Sequence, residues 1–428
     1  MKVTYFQQVP YRDLPDDFAK RYAESVITTP YFEVTSPDKV HSAFREALDE
    51  IMHAARAGFD AIAITEHGQS SYDMAPNPNI LEAAAAYATE AEGIATGIYP
   101  LGRSLGKSRE PLRAAEELAM LDAISGGRLI AGFPVGLAYD ANVNNGVPPA
   151  ETRLRFDENI ELVLKAWTEH EVFPWNGRFH QHPAVNIWPR PLQQNPHPPV
   201  FVTGIGNPRT MEFCLNRGFG FNYFGWFGAK VTGRRIFDRF WDAANRLGKD
   251  NNPYQMGFMQ TICVADTDAQ AEKLFARHAE YFFQKAIGSI PMERLALPGG
   301  IDIKGLEFIF RDPGDFGIYA KMRQASFKEL VEAGSVICGS PATVRAQISE
   351  FAREFRIGNL HAMLQFGSMP HELAKDNISL FGEQVLPHIQ QIWTDEGWNH
   401  HWWPQVLGGV PHPAGRQAST ENEAVTAR

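Results

Sequence analysis

The chain has 428 residues, 44% of them hydrophobic, with 29 Phe and 9 Trp, which is enough apolar mass for a large core, yet no apolar run reaches the roughly 20 residues that span a bilayer. Its formal net charge of −10 argues against nucleic acid as a partner, since phosphate binding needs an excess of Lys and Arg. Cys214, Cys263 and Cys338 are widely spaced without a CxxC pair, and the first residues lack a signal peptide's regions, so a cytoplasmic protein without membrane contact, zinc ribbon or disulfide framework is expected.

In chain order, strand patterns fall at 2–8, 61–65, 94–99, 129–133, 200–204, 219–224, 256–264 and 360–366, with helical patterns between them. The stretch 112–136 shows the repeating unit. Ala114, Leu118, Leu121 and Ile124 recur along one helix face, Pro111 opens that helix, and Gly126 and Gly127 close it. The strand that follows is apolar on both sides and breaks into Gly132, Pro134 and Gly136, as a parallel strand covered by helices does. Eight strands alternating with helices predict an α/β fold, a (β/α)₈ TIM barrel with inserted loops at its C-terminal face. No Ser- or Gly-rich linker divides the chain, so 1–392 are expected to form one catalytic barrel domain and 393–428 a C-terminal extension ending in a polar, partly disordered tail.

Chemistry is expected just beyond the carboxyl ends of the strands. His67 stands immediately after the second strand, and an imidazole titrates near neutral pH and can pass protons; the alternative is a cap of the strand end, bonded to Glu66. GIGNPRT (204–210) follows the fifth strand and opens a helix. Gly204 and Gly206 let the backbone come close to an anion, and Ile205, Asn207, Arg209 and Thr210 complete the candidate phosphate turn. It is not a dinucleotide fingerprint, because Arg209 stands where a third glycine would be; an ordinary βα turn is the alternative. Arg103, Lys107 and Arg109 form either a solvated or carboxylate-paired face or a grip on an anionic substrate. His180 and His182 lack a third ligand at metal spacing, so they are read as loop residues and no metal is expected. The aromatics of 219–227 belong to the sixth strand and its loop, or line a substrate pocket. The loop 133–151 and the insertion 287–333 are placed to close over a small apolar or aromatic organic substrate.

GFDAIAITEHG (58–68), LDAISGGRLIAGFPVG (121–136), RFDENIELVLKAW (155–167), PRPLQQNPHPPVFVTGIGNPRT (189–210), CGSPATVRAQISEF (338–351) and FGEQVLPHI (381–389), in this order, resemble bacterial luciferase-like flavin monooxygenases. The resemblance covers the chain up to about Ile392. It implies a barrel that binds reduced FMN and uses dioxygen to oxygenate a substrate through a flavin hydroperoxide, with His67 acting near the flavin. Gly68 departs from relatives that carry a second histidine there. The family's pattern also implies a phosphate contact from Tyr139, although Val135 stands at luciferase's arginine position. It implies a flavin wall from Ala95 and Thr96, read as lying near the carboxyl end of the third strand, where the family often holds a cis peptide bond; simple barrel packing is the alternative. With no nicotinamide dinucleotide motif in the chain, a separate NAD(P)H:flavin reductase is expected to supply the reduced FMN. A homo-oligomer is a further family expectation. Two other readings share the fold: a deazaflavin-dependent hydride-transfer oxidoreductase and a non-catalytic flavin-binding subunit.

Overall fold

The structure, a computed structural model, describes residues 1–137, 140, 144–224, 228–290 and 323–411. Tyr139, most of the 287–333 insertion, part of the 219–227 aromatic run and the tail beyond 411 lie outside the described residues.

Eight parallel strands form the barrel: β1 (Lys2–Gln7), β2 (Ala61–Ile64), β3 (Gly97–Pro100), β4 (Ala131–Gly132), β7 (Val200–Gly204), β8 (Gly220–Tyr223), β9 (Met256–Val264) and β11 (Asn359–Met363). They run in the order β3-β2-β1-β11-β9-β8-β7-β4. The ring closes where Leu129, just before β4, bridges Ile98 of β3: the Ile98 amide donates to Arg128 O and the Ile130 amide to Ile98 O, both at 2.9 Å. The predicted TIM barrel is therefore the observed one. Three more strands lie outside the ring. β5 (Phe173–Asn176) and β6 (Gln181–Val185) make an antiparallel hairpin, and β10 (Val336–Gly339) runs beside the outer half of β9. His182 thus sits in a strand, which corrects its loop reading, while His180 lies in the hairpin turn just ahead of it as expected, their rings parallel at 6.3 Å.

The connecting helices pack outside the ring. α1 (Pro37–Arg56), α2 (Pro78–Ala91), α3 (Pro111–Ile124), α4 (Thr152–Thr168), α5 (Pro208–Arg217) and α6 (Arg234–Arg246) follow one another around it. On α3 the residues Ala114, Leu118 and Leu121 are buried as the spacing requires, whereas Ile124 at the helix end stays 36% exposed. Gly126 and Gly127 take φ of 65° and 83°, the left-handed stop that glycine adopts without cost.

Side chains fill the ring rather than leaving a pore. Phe6 meets Phe224 at 5.2 Å, Tyr99 meets Phe201 at 5.7 Å, and His361 lies 5.5 Å from both Tyr99 and Phe224. The C-terminal extension folds back under the amino-terminal ends of the strands, where Trp393 donates to Ile357 O at 2.7 Å and Trp402 to Gly218 O at 2.8 Å. Among the described residues no helix is long and apolar enough to cross a membrane.

Candidate active site

The carboxyl end of β2 is folded over a buried carboxylate. Asp73 accepts the Thr65 hydroxyl and, at 3.1 Å each, the amides of Val9 and Ala75, while the His67 amide donates to Ala75 O at 3.0 Å. This knot fixes the backbone that carries His67. Burial pushes the Asp73 carboxyl up, against the pull of His67 and of its three donors.

The His67 ring leans on Tyr72 at 4.9 Å, and its Nδ1 lies 3.1 Å from Asp140 Oδ2. Asp140 also accepts the Gly68 amide at 3.4 Å and the Asn144 side-chain amide at 2.9 Å. Burial alone would raise this carboxyl, but Lys107, His67 and the Gly68 amide outweigh it and hold it below the ordinary carboxylate range. An anionic carboxylate only accepts, so the proton of this contact sits on Nδ1. Lys107 is 3% exposed and lies 3.0 Å from Glu66 Oε1. Burial pulls its ammonium down, yet Glu66 and Asp140 together keep it above its usual value.

The cationic cluster after β3 therefore meets carboxylates and carbonyls. Arg103 bonds Glu66 at 3.3 Å and Glu117 at 3.1 Å, and Arg109 bonds Asn145 O at 2.8 Å and also Gly146 O. Glu66 is thereby bound by cations rather than by His67. Gly68 has its own reason to lack a side chain: a Cβ there would stand 2.6 Å from Asn144 Nδ2.

Toward the carboxyl ends of the strands the barrel holds buried polar atoms without hydrogen-bond partners: Gln8 Oε1 just after β1, Thr203 Oγ1 near the end of β7, Thr261 Oγ1 in β9, and both amide atoms of Gln365 beyond β11. Native interiors rarely leave such atoms unmet unless a ligand or water meets them. Deeper in the ring Asn222 donates to Tyr99 Oη at 2.6 Å and accepts from His361 Nε2 at 3.0 Å. Burial lowers His361 to about 3, so this imidazole is neutral.

The GIGNPRT turn leaves β7 as expected. Gly206 takes φ of 101°, and a Cβ on it would strike Ile236 at 2.5 Å. Asn207 caps α5 by accepting the Arg209 amide, while the Arg209 guanidinium reaches Asp157 at 2.8 Å and Arg153 donates to Thr210 Oγ1 at 2.9 Å. Ile205 is 52% exposed beside them. Ala95 and Thr96 lie elsewhere. β3 starts at Gly97, so both precede the strand at the opposite end of the barrel, where the Thr96 hydroxyl donates to Phe59 O at 3.0 Å and its carbonyl accepts from Arg128. Their assignment as a flavin wall is corrected accordingly. The cis peptide bonds among the described residues are Trp188-Pro189 and Asn195-Pro196, neither of them near β3.

The profile of the luciferase-like monooxygenases matches residues 26–356. The chain belongs to the luciferase-like monooxygenase family. It is 33% identical over 180 residues to the oxygenase component of flavin-dependent trigonelline monooxygenase from Acinetobacter baylyi, covering 41% of this chain and 47% of that protein. The chain thus spans about half the length of the curated relatives it matches. Its fold is shared with the oxygenating constituent of 3,6-diketocamphane monooxygenase from Pseudomonas putida, solved with FMN (TM-score 0.66, 21% identity, 90% of this chain and 98% of that one). It is shared as well with an F420-dependent secondary alcohol dehydrogenase (TM-score 0.62, 16% identity, 91% and 98%). In this luciferase-like chain the functional candidates that the sequence reading missed are Asp140, as the partner of His67, and Gln8, Thr203 and Gln365 at the mouth. A lone aspartate in the polar run after the fourth strand was the available signal for Asp140. The glutamines offered none, because strand patterns do not report which polar atoms end up unmatched.

Proposed function

We propose that this chain is the oxygenase component of a two-component monooxygenase. It binds reduced FMN delivered by a separate NAD(P)H:flavin reductase and, with dioxygen, oxygenates a small apolar or aromatic organic molecule. The observation that carries this reading is the His67–Asp140 pair at the barrel mouth, with buried, unmatched polar atoms toward the same strand ends. Those atoms fit FMN. Thr203, Gln8 and Gln365 would meet the polar edge of a flat ring above Phe6 and Phe224, and the backbone amides of the 204–210 turn would take the phosphate, with Arg209 turning to it from Asp157. When bound, reduced FMN supplies the electrons that divide dioxygen between substrate and water.

The chain's own work is proton handling and exclusion of water. Asp140 accepts the Nδ1 proton of His67 and fixes the ring, and the imidazole takes up and returns a proton during oxygen transfer. Lys107 keeps Asp140 anionic, and Tyr72 backs the imidazole with a buried apolar face. The name of the trigonelline relative, an oxygenase component, supports a partner reductase, and the FMN bound to the diketocamphane neighbour supports the cofactor.

The F420-dependent relatives supply the competing reading, hydride exchange with a deazaflavin and no use of dioxygen. The test mixes the protein with reduced FMN in aerated buffer over a panel of ring-containing substrates. Dioxygen uptake together with a product heavier by one oxygen atom is the expected result. Oxidation of reduced deazaflavin without dioxygen uptake, and no binding of FMN, would overturn the proposal.

A further inference from the structure

Outside the catalytic mouth, Cys263 and Cys338 make a pair that no part of the proposed reaction uses. Cys263 lies in β9 and Cys338 in β10, and the parallel pairing of these strands sets the two residues directly opposite one another. Neighbouring strands lie about 4.8 Å apart, inside the roughly 4.4–6.8 Å that a disulfide requires between Cα atoms. Residues opposite one another in a sheet also share a face. Cys263 is fully buried and Cys338 partly exposed.

Their place in the fold gives the pairing a use. Alternation along β9 puts Cys263 on the face of Gly257, where a Cβ would abut Asn222 and His361 inside the barrel, so the pair lies on the inward-looking side and toward the carboxyl end of the strand. β10 fastens a return of the chain that also bonds the loop after β8: Ala229 donates to Gly334 O and Lys230 to Ala333 O, both at 3.3 Å.

We infer that Cys263 and Cys338 form a peroxide-oxidisable dithiol whose disulfide clamps β10 to β9 beside the mouth. The co-reactant is hydrogen peroxide. The Cys338 thiolate attacks one peroxide oxygen, the O–O bond breaks, and the leaving hydroxide takes a proton to become water. Cys263 sulfur then attacks Cys338 sulfur, the S–O bond breaks, and the Cys263 proton leaves with the oxygen as a second water. Two thiols lose two electrons and one peroxide gains them.

The inference does not rest on the flavin reading and is tested without flavin. Pre-reduced full-length protein is treated with hydrogen peroxide, denatured in an alkylating agent, and followed by intact mass and peptide mapping. The chain should lose two hydrogens, its alkylatable thiols should fall from three to one, and Cys263 and Cys338 should be found in one cross-linked pair that dithiothreitol releases. Cys214→Ala should form the same cross-link and lose the same two hydrogens, its alkylatable thiols falling from two to none, and Cys338→Ala should lose no hydrogens. Oxygen addition at Cys338 without a cross-link, a cross-link through Cys214, or three surviving thiols at peroxide levels that oxidise glutathione would each overturn the inference.

Discussion

The two ends of the barrel treat their polar groups in opposite ways. At the amino-terminal floor Arg128 donates to Ser125 O (2.6 Å), Thr89 Oγ1 (2.9 Å), Thr96 O (3.0 Å) and Ala86 O (2.9 Å), and Asp122 accepts the amides of Leu129 and Gln193 and the Gln193 side chain. At the mouth, Gln8, Thr203 and Gln365 are buried with atoms left unmatched, while Lys107 pairs with Glu66 and helps hold Asp140, the partner of the His67 imidazole, as an anion. The floor is built to be stable and the mouth to receive something. Substitutions at the floor should therefore move stability and spare chemistry, and those at the mouth should do the reverse.

His67→Ala is the sharpest break of that symmetry. Loss of a positioned acid–base group should lower kcat about 10²–10⁴-fold, while FMN binding and the melting temperature stay close to wild type. A fall in stability equal to the fall in rate would make His67 the strand cap that was its structural alternative. Arg128→Met should show the mirror image. It leaves several buried carbonyls without a donor and should cost roughly 2–4 kcal/mol in denaturant unfolding, with kcat unchanged wherever the protein is folded.

How much of this contrast was legible in the sequence follows from the same physics. Each barrel strand is buried along most of its length and followed by a helix, so short apolar runs alternating with helical patterns placed all eight within a few residues, β4 included although only Ala131 and Gly132 are fully paired. His67 was legible because it directly follows such a run. The β5–β6 hairpin was not, since QHPAV is mostly exposed and carries no apolar alternation. Ala95 and Thr96 were placed at the wrong end of β3 because a run of small residues has no signal for where pairing begins; the Thr96 hydroxyl, bonded to Phe59 O, decides it. The His67–Asp140 contact joins residues 73 positions apart across two loops, and no local pattern encodes it.

Asp140→Asn sharpens the comparison within the mouth. The amide no longer favours the Nδ1 proton, so kcat should drop about 10–100-fold with a smaller change in stability. The sign of the pH effect follows from the lowered carboxyl. Its stabilising contribution is present above the ordinary Asp value near about 3.9 and is lost as pH falls through the lower folded value. The gap in melting temperature between wild type and Asp140→Asn should thus be widest near neutrality and close on acidification. Glu82, on α2 behind β2, runs the other way: burial pushes its carboxyl well up, and one oxygen accepts the Ile64 amide at 3.0 Å. The fold keeps a proton there that the unfolded chain has released, so wild-type stability should decline as pH rises above the ordinary Glu value, by at most about 1.4 kcal/mol per pH unit. Glu82→Gln, which keeps the acceptor and removes the titration, should flatten the decline in melts between pH 5 and pH 8.

The smallest effect tests how tightly the mouth is drawn around its imidazole. In Gly68→Ala the new Cβ meets the Asn144 side chain, the end of a flexible group rather than backbone, so Asn144 should swing away and give up its 2.9 Å bond to Asp140. Asp140 keeps its contact with His67, and the loss should amount to about 0.5–1.5 kcal/mol, a two- to tenfold drop in kcat. Gly68→His restores the second histidine of the luciferase-like pattern but needs the space Asn144 fills, so it should lower kcat further than alanine does. Paired with Asn144→Ala, it should recover part of that loss. Recovery in the double variant would mean that Gly68 and Asn144 are one adaptation, a side chain moved from the strand end to the facing loop to hold Asp140. Equal losses in all three variants would mean that Asn144 does nothing for Asp140, and that the mouth is set by the His67–Asp140 contact and the Asp73 knot alone.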